Sequence, residues 1–381
     1  MKKIRVAMSQ RICPEYRIPV FKEINKCKGI DFRLFFGKGT NSGSNRNAKK
    51  ISGFKFSKIF TISALFNYHG EKYRVFHPTL PFYILKGKYD VLITEPGTNI
   101  FNNLFLFPVC KLTGVKFIWY TAGNPKNTSC LKKIISPLLN FMILHSDACI
   151  TYNSVADNDL LNIGVEPQKI FRAQNTIDVS SVKKACEKYK TKIIEFKKQC
   201  KLDGYKTALY IGGVEERKRI KNLIDAALLL NRKDIKVKVV IVGDGPYLEK
   251  LKGQLTNDEK THVFFAGRQV ENAPLYIMAS DVVVLPGEGG LAINHAFACG
   301  KACIATEEAE GPAVRDYIVD GYNGYVAQEN DVKSLKLKME KIFLNDKLQQ
   351  ELEKGAKETG EKFTVKSMVD SIINAVNFVA K

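Results

Sequence analysis

Short runs of β-branched and aromatic residues alternate with amphipathic stretches of helical length along almost the whole chain. Ile4–Met8, Phe32–Phe36, Val91–Thr94, Val115–Tyr120 and Ala148–Thr151 read as buried strands, and so do Thr207–Ile211, Val237–Val242, Val263–Phe265, Val282–Leu285 and Ala302–Ala305. They are mostly continuous apolar runs, the mark of strands covered on both faces. Helices are expected over Pro19–Lys28, Asn102–Thr113, Ile220–Leu230 and Leu291–Cys299. Strand–helix alternation of this kind predicts α/β architecture, with parallel sheets clothed by helices on both sides. It occurs in two sets separated by a polar, lysine-rich helical stretch, Val179–Lys201. The economical reading is two Rossmann-like domains facing each other, over residues 1–176 and 177–363, with a final helix over 364–381 packing back towards the first. No repeat period suggests a solenoid.

Composition narrows the class. The chain has 381 residues, 45% hydrophobic and 26% charged, which excludes a disordered or collagen-like protein and suits two domains. The longest apolar stretches, 100–120 and 134–150, are broken by Lys111 in one and by Pro137, Asn140, His145 and Asp147 in the other, so no membrane span is expected. The opening MKKIRVAMSQ has a basic flank but only a strand-length apolar run, so no signal peptide is expected. The nine cysteines are odd in number and lack CxxC spacing, and read as reduced thiols in a cytoplasmic protein.

Charge is distributed unevenly. Through Asn175 there are 26 Lys/Arg against 10 Asp/Glu, whereas the remainder has 33 against 29. Between Phe32 and Gly70 there is no acid, while Arg33, Lys38, Arg46, Lys49, Lys50, Lys55 and Lys58 are all present. Such asymmetry points to a polyanionic surface as partner, nucleic acid or anionic lipid, with a merely solvated lysine-rich face as the plain alternative. Phe54 and Phe56, interleaved with Lys55 and Lys58, offer residues to dip into a membrane interface, or form an ordinary hairpin.

In open α/β sheets ligands bind beyond the carboxyl ends of the strands, so loops that follow strands carry the chemistry. In the second half, Thr207–Ile211 is followed by Gly212-Gly213-Val214-Glu215-Glu216-Arg217-Lys218-Arg219, in which glycines admit a phosphate and Lys218 or Arg219 neutralises it. After Val237–Val242 comes Gly243-Asp244-Gly245-Pro246, the opening of a dinucleotide fingerprint whose third glycine position is Leu248, which disfavours a dehydrogenase. Ala266-Gly267-Arg268-Gln269 follows the next strand. The most specific loop is Leu285-Pro286-Gly287-Glu288-Gly289-Gly290-Leu291, whose three glycines leave backbone amides at a helix N-terminus for an anion. Asp157-Asn158-Asp159 imitates a metal-binding DxD but lies in a helical stretch, and Cys299 and Cys303 are joined by no His or Cys cluster, so no metal is expected.

These residues together resemble the family 4 glycosyltransferases, retaining enzymes of the GT-B fold. The likeness rests on Asp147–Tyr152, Asn175-Thr176-Ile177-Asp178, the loop at 212–219, Gly243–Pro246, Phe265–Gly267, Leu285–Gly300 and Asp320-Gly321-Tyr322-Asn323-Gly324, with weaker echoes in Tyr16–Phe21 and Phe117–Asn124. It implies a GT-B pair of domains across a cleft, and transfer of a sugar from a nucleotide diphosphate sugar, UDP favoured, to a saccharide or lipid-linked saccharide in surface polysaccharide or glycan assembly. No cofactor is implied beyond the donor as co-substrate, and nucleic acid is not an expected partner. An anionic membrane surface is expected as partner through the basic first half, placing the protein in the cytoplasm or peripherally on the inner face of the plasma membrane. By resemblance, Gly212, Gly213, Arg217, Lys218, Gly243, Gly267, Arg268, Gly287, Glu288, Gly289, Gly290, Leu291 and His295 bind the donor, with Lys218, Glu288 and His295 in catalytic roles. Lys218 and the loop amides would take the phosphates, Gly267 and Arg268 the base, His295 the ribose or phosphate, and Glu288 a sugar hydroxyl. Outside the resemblance, His295 reads equally as a core histidine and Glu288 as a helix-end charge. The sequence departs from the family at Gly213, where an arginine is usual, and at Gly287 and His295, where glutamates are. Rival readings are a GT-B epimerase on the same donors, a donor-binding protein without turnover, and a nucleic-acid binder, the last leaving the glycine loops unexplained.

Overall fold

The computed structural model describes residues 3–39, 47–64, 74–95, 100–123, 130–307 and 312–381; Arg46 and Asn124, singled out above, lie outside them. The chain divides into two compact units, one of residues 1–175 with 365–381 and the other of residues 176–364.

Among the described residues nine strands belong to the first unit: β1 (Ile4–Gln10), β2 (Ile30–Phe36), β3 (Lys55–Lys58), β4 (Ile62–Ala64), β5 (Arg74–Phe76), β6 (Val91–Thr94), β7 (Lys116–Thr121), β8 (Ala148–Thr151) and β9 (Ile170–Arg172). Seven form a parallel sheet in the order β3-β2-β1-β6-β7-β8-β9, and β4 and β5 form a separate antiparallel pair. Alternate side chains serve two cores, because successive residues of a strand point to opposite faces. Val6, Met8, Phe32, Leu34, Ile93 and Ile150 meet the helices Ile18–Lys26 and Val365–Val379. Ala7, Phe35, Leu92, Phe117, Trp119 and Cys149 meet Leu80–Gly87, Ile100–Thr113 and Cys130–Leu144. The terminal helix lays Met368, Val369, Ile372, Ala375 and Val376 into the first of these cores.

The second unit carries β10 (Lys206–Ile211), β11 (Val237–Val242), β12 (Val263–Gly267), β13 (Val282–Leu285), β14 (Cys303–Thr306) and β15 (Gly324–Ala327), parallel in the order β12-β11-β10-β13-β14-β15. Ala208, Tyr210, Val239 and Ile241 pack on the helices Ile220–Asn231 and Val332–Phe343, while Leu209, Val240, Val283 and Leu285 pack on Ile293, Phe297 and Tyr317.

One expectation needs correction, and two findings add to the pattern. Phe54 is buried in the first core and packs its ring against Phe21 and Phe32, while Lys55–Lys58 is a parallel edge strand on β2 with Lys55 paired to Asp31, so the segment is not a hairpin. The stretch 179–201, read from its pattern as helical, lies in the second unit. It forms two helices, Val179–Tyr189 and Ile193–Gln199, and the first buries Val179, Val182 and Cys186 with Ala298 inside the second unit. The edge strands β3, β9 and β15 also go unannounced by the hydrophobic pattern.

Candidate functional site

In the second sheet the chain runs outward from β10 to β12, then returns to place β13 on the other flank of β10. The reversal between β10 and β13 is the point where α/β sheets open a crevice beyond their strand ends. The loops leaving those two strands, 212–219 with Arg217, Lys218 and Arg219 and 286–291 with three glycines, are brought together by the topology.

They are fastened to each other. The Lys218 ammonium donates to the carbonyls of Glu288 at 2.8 Å and Gly289 at 3.2 Å, and the Glu288 amide donates to the Arg217 carbonyl at 3.2 Å. Arg217 pairs with Glu288 and, at 2.5 Å, with Glu215. The backbones approach so closely that a Cβ added to Gly287 would lie 2.6 Å from the Arg217 carbonyl oxygen. Likewise a Cβ on Gly243 would lie 1.8 Å from the Gly212 carbonyl oxygen, which locks the second loop against the first. Those two glycines are thus explained by packing. Gly290 is not: a Cβ there meets nothing within 4 Å. The amides of Gly289, Gly290 and Leu291 donate to no acceptor among the described residues. Backbone donors with no protein partner, beside a lysine, form a seat for an anion.

The remaining residues fall around this junction. The Gly213 carbonyl accepts from the Tyr210 hydroxyl at 2.7 Å, and the Gly267 carbonyl accepts from the Gly243 amide at 2.9 Å. Arg268, just past β12, is exposed. His295 sits one turn inside the helix Ala292–Ala298, with a buried Nδ1 that has no partner among the described residues. Burial holds its imidazole below the usual histidine range, so it is neutral at pH 7, and burial likewise lowers Lys218 from its ordinary value. Asp157 accepts from Thr151 and, at 2.7 Å, from Arg172, so its carboxylate serves the fold of the first unit.

The first sheet has its own reversal, between β1 and β6, and there the structure assembles Arg17, Tyr120 and Tyr152, from segments that carry the resemblance, with Gln10 and Glu95, which no motif announced. Gln10 ends β1, Glu95 follows β6, and Tyr120 and Tyr152 stand at the carboxyl ends of β7 and β8. Arg17, only 4% exposed, lies under the rings of Tyr152, Tyr16 and Tyr120 at 5.0, 5.5 and 5.9 Å from their centroids. The Tyr152 hydroxyl donates to Glu95 Oε1 at 2.8 Å and the Gln10 amide donates to the same oxygen at 3.2 Å. Burial raises both tyrosines above their ordinary values, keeping them protonated donors. Glu95 Oε2 has no partner among the described residues, so this half-buried carboxylate keeps one oxygen for an incoming hydroxyl. The available signal was the polar end of each strand: a tyrosine, glutamate or glutamine directly after an apolar run.

With this geometry in place, comparison with known proteins is informative. Residues 191–359 match the model of the glycosyl transferases group 1. An uncharacterized glycosyltransferase of Methanocaldococcus jannaschii is 28% identical over 164 residues, 42% of this chain and 44% of that one. A second from the same organism is 28% identical over 296 residues, 70% of this chain and 69% of its own. The first of these alignments spans less than half the length of the relative. Among solved structures, Anabaena HepE in complex with UDP superposes with a TM-score of 0.75 at 14% identity, covering 99% of this chain and 100% of that one, which is a likeness of fold. Residues 191–359 thus match the group 1 glycosyltransferase family, and the pair of parallel-sheet units has the GT-B fold.

Proposed function

We propose that the protein transfers a sugar, with retention of anomeric configuration, from a UDP-sugar held by the second unit to a saccharide or lipid-linked saccharide held by the first. The observation that carries the donor half is the fastening of the 212–219 and 286–291 loops at the sheet reversal, where three unpartnered amides stand beside Lys218. The leaving group is a nucleoside diphosphate, so the barrier falls with every donor aimed at its developing charge. Lys218 supplies a point charge whose partial burial makes it count for more than it would in water. The amides of Gly289, Gly290 and Leu291 supply fixed dipoles that need no reorganisation. Glu288 reaches a sugar hydroxyl only on exchanging its pair with Arg217, which the rotatable side chains allow. Neutral His295 offers a ring nitrogen to ribose or phosphate. The similar HepE structure, solved with UDP, supports uridine as the base.

For the acceptor, Glu95 Oε2 is the first-unit group suited to accept a hydrogen bond from a sugar hydroxyl, with Tyr152 and Gln10 fixing the carboxylate. Titration calorimetry with UDP, GDP and ADP tests the donor reading, and mass analysis of products from a panel of UDP-sugars tests turnover. Binding of UDP with release of free sugar or transfer to a saccharide is the expected outcome. Equal, weak and salt-sensitive binding of all three nucleotides would reduce the protein to a polyanion binder, and tight UDP binding without product to a donor-binding protein.

A further inference from the structure

The helices Leu80–Gly87, Ile100–Thr113 and Cys130–Leu144 pack on one core of the first sheet together with Ser154–Ile163, and the first three contain no aspartate or glutamate. Their inner residues, among them Ile84, Leu106 and Met142, fill the core beneath. Their outer residues ought to be charged, because a helix on the surface of a soluble domain turns a polar face to water. Here the outward positions are Phe82, Leu85, Phe105, Leu112, Leu138 and Phe141, all exposed; Phe82 is 62% and Leu112 87% exposed. Single exposed apolar residues are ordinary, but this many on three helices over one core mark an interaction face.

The charges beside them select the partner. Lys86, Lys88 and Lys111 are exposed along the same helices, and Lys86 holds its ammonium 5.9 Å over the Phe82 ring. From Arg74 to Asp147 the chain has eight Lys/Arg and three acids: Asp90 pairs with Arg5, Glu95 stands at the carboxyl edge of the sheet, and Asp147 pairs with Lys111 at 3.3 Å and Lys116 at 3.5 Å. Among the described residues this leaves Lys86 and Lys88 as the lysines free to meet an anionic surface. Aromatic and aliphatic side chains interleaved with lysines and free of acid fit the headgroup boundary of an anionic bilayer, where rings insert and ammonium groups meet phosphates. A protein partner would need acids to answer these lysines and would bury the leucines dry. No helix among the described residues is long and apolar enough to cross a membrane, so the contact is a surface one.

We infer that this three-helix face seats the protein on anionic lipid. The face differs from the Phe54–Lys58 segment that the sequence offered, where Phe54 is buried and Phe56 packs on Phe36 and Phe54. The inference deepens the reading of the first unit as the acceptor-holding one, since an acceptor on a lipid carrier lies at that surface. Its test requires neither donor nor acceptor.

The full chain is co-floated with phosphatidylcholine vesicles and with vesicles containing 30% phosphatidylglycerol, at low salt and at half-molar salt. Selective capture by the anionic vesicles, at least tenfold weaker in high salt, is expected. Phe82→Ser with Leu112→Ser, and separately Lys86→Glu with Lys88→Glu, should each cut capture tenfold or more. Both variants should keep the parent melting temperature and UDP affinity, and Phe56→Ser should float as the parent does. Equal capture by both vesicles, or undiminished capture of the first double variant, overturns the inference. So does a parent that is dimeric by light scattering and becomes monomeric with Phe82→Ser and Leu112→Ser, since the face would then belong to a second copy. Failure of UDP to bind would sink the transferase reading and leave the lipid result standing.

Discussion

The two units share an architecture and differ in how they prepare a site. Each is a parallel sheet with a reversal at its centre, between β10 and β13 in one and between β1 and β6 in the other. In the second unit the reversal is dressed by backbone: glycines, amides without partners, and one lysine tied to carbonyls of the opposite loop. In the first it is dressed by side chains from distant positions, Gln10, Arg17, Glu95, Tyr120 and Tyr152. A diphosphate is the same in every donor and is well held by amides, which demand glycine and leave a mark in sequence. The first-unit cluster is built from single side chains, and two of them, Gln10 and Glu95, fall in none of the segments that carry the resemblance. The outer surfaces differ as well. The helix Val332–Phe343 is laced with lysines and Glu340, whereas the three helices on the first sheet turn phenylalanine and leucine outward.

The sharpest way to break this comparison is Lys218→Ala. Removing a charge that meets the leaving phosphates should raise the barrier by about 2–4 kcal/mol, roughly 30- to 1000-fold in kcat/KM. A loss within threefold would show that the lysine only fastens the loops.

Gly287→Ala and Gly290→Ala come next as a pair. At Gly287 the added methyl collides with the backbone at Arg217 and Lys218, so the variant should lose stability and at least tenfold in UDP affinity together. At Gly290 the methyl meets open space, so the melting temperature should hold while UDP affinity falls by a similar factor. If calorimetry finds the Gly290→Ala affinity unchanged, no phosphate approaches that backbone.

The first unit should answer in the opposite sense. Glu95→Gln weakens the anchor for the Tyr152 and Gln10 donors and leaves buried Arg17 facing a neutral amide, at a cost of about 1–3 kcal/mol. Differential scanning calorimetry should register the lower melting temperature, with UDP affinity as in the parent because the donor residues are untouched.

The smallest effect concerns pH. Burial depresses the folded-state His295 pKa below its unfolded value, so as pH falls through about 6.5 the unfolded chain binds the proton first and stability declines. His77, buried with its Nε2 unpartnered among the described residues, acts in the same direction. His295→Gln should therefore flatten, without abolishing, the fall in melting temperature between about pH 6.5 and 5. An unchanged acid limb would contradict a buried neutral imidazole.

Much of the fold was legible. Val91–Thr94, Ala148–Thr151, Val237–Val242 and Val282–Leu285 are strands over the spans that the apolar runs mark, because a strand buried on both faces has no room for polar residues. The edge strands escaped notice: Lys55–Lys58 is mostly exposed and Ile170–Arg172 only half-buried, and neither is long enough to carry a period. The loops after β10 and β13 were legible as glycines but not as partners. That Arg217 pairs with Glu288, and that Lys218 grips the carbonyls after Glu288, depends on a meeting of segments about 70 positions apart. Phe54 was misplaced because an aromatic among lysines reads alike whether it faces lipid or lies beneath an edge strand.

Local pattern and composition determined the two α/β units, the four loops after strands β10 to β13, and the charge imbalance of the first half, since each is written in neighbouring residues. The order of strands decided the rest. It chose which two loops share a reversal, drew Arg17 under Tyr120 and Tyr152 from two distant strands, and set the acid-free helices over one core, because residues remote along the chain become neighbours only when the sheet closes its core.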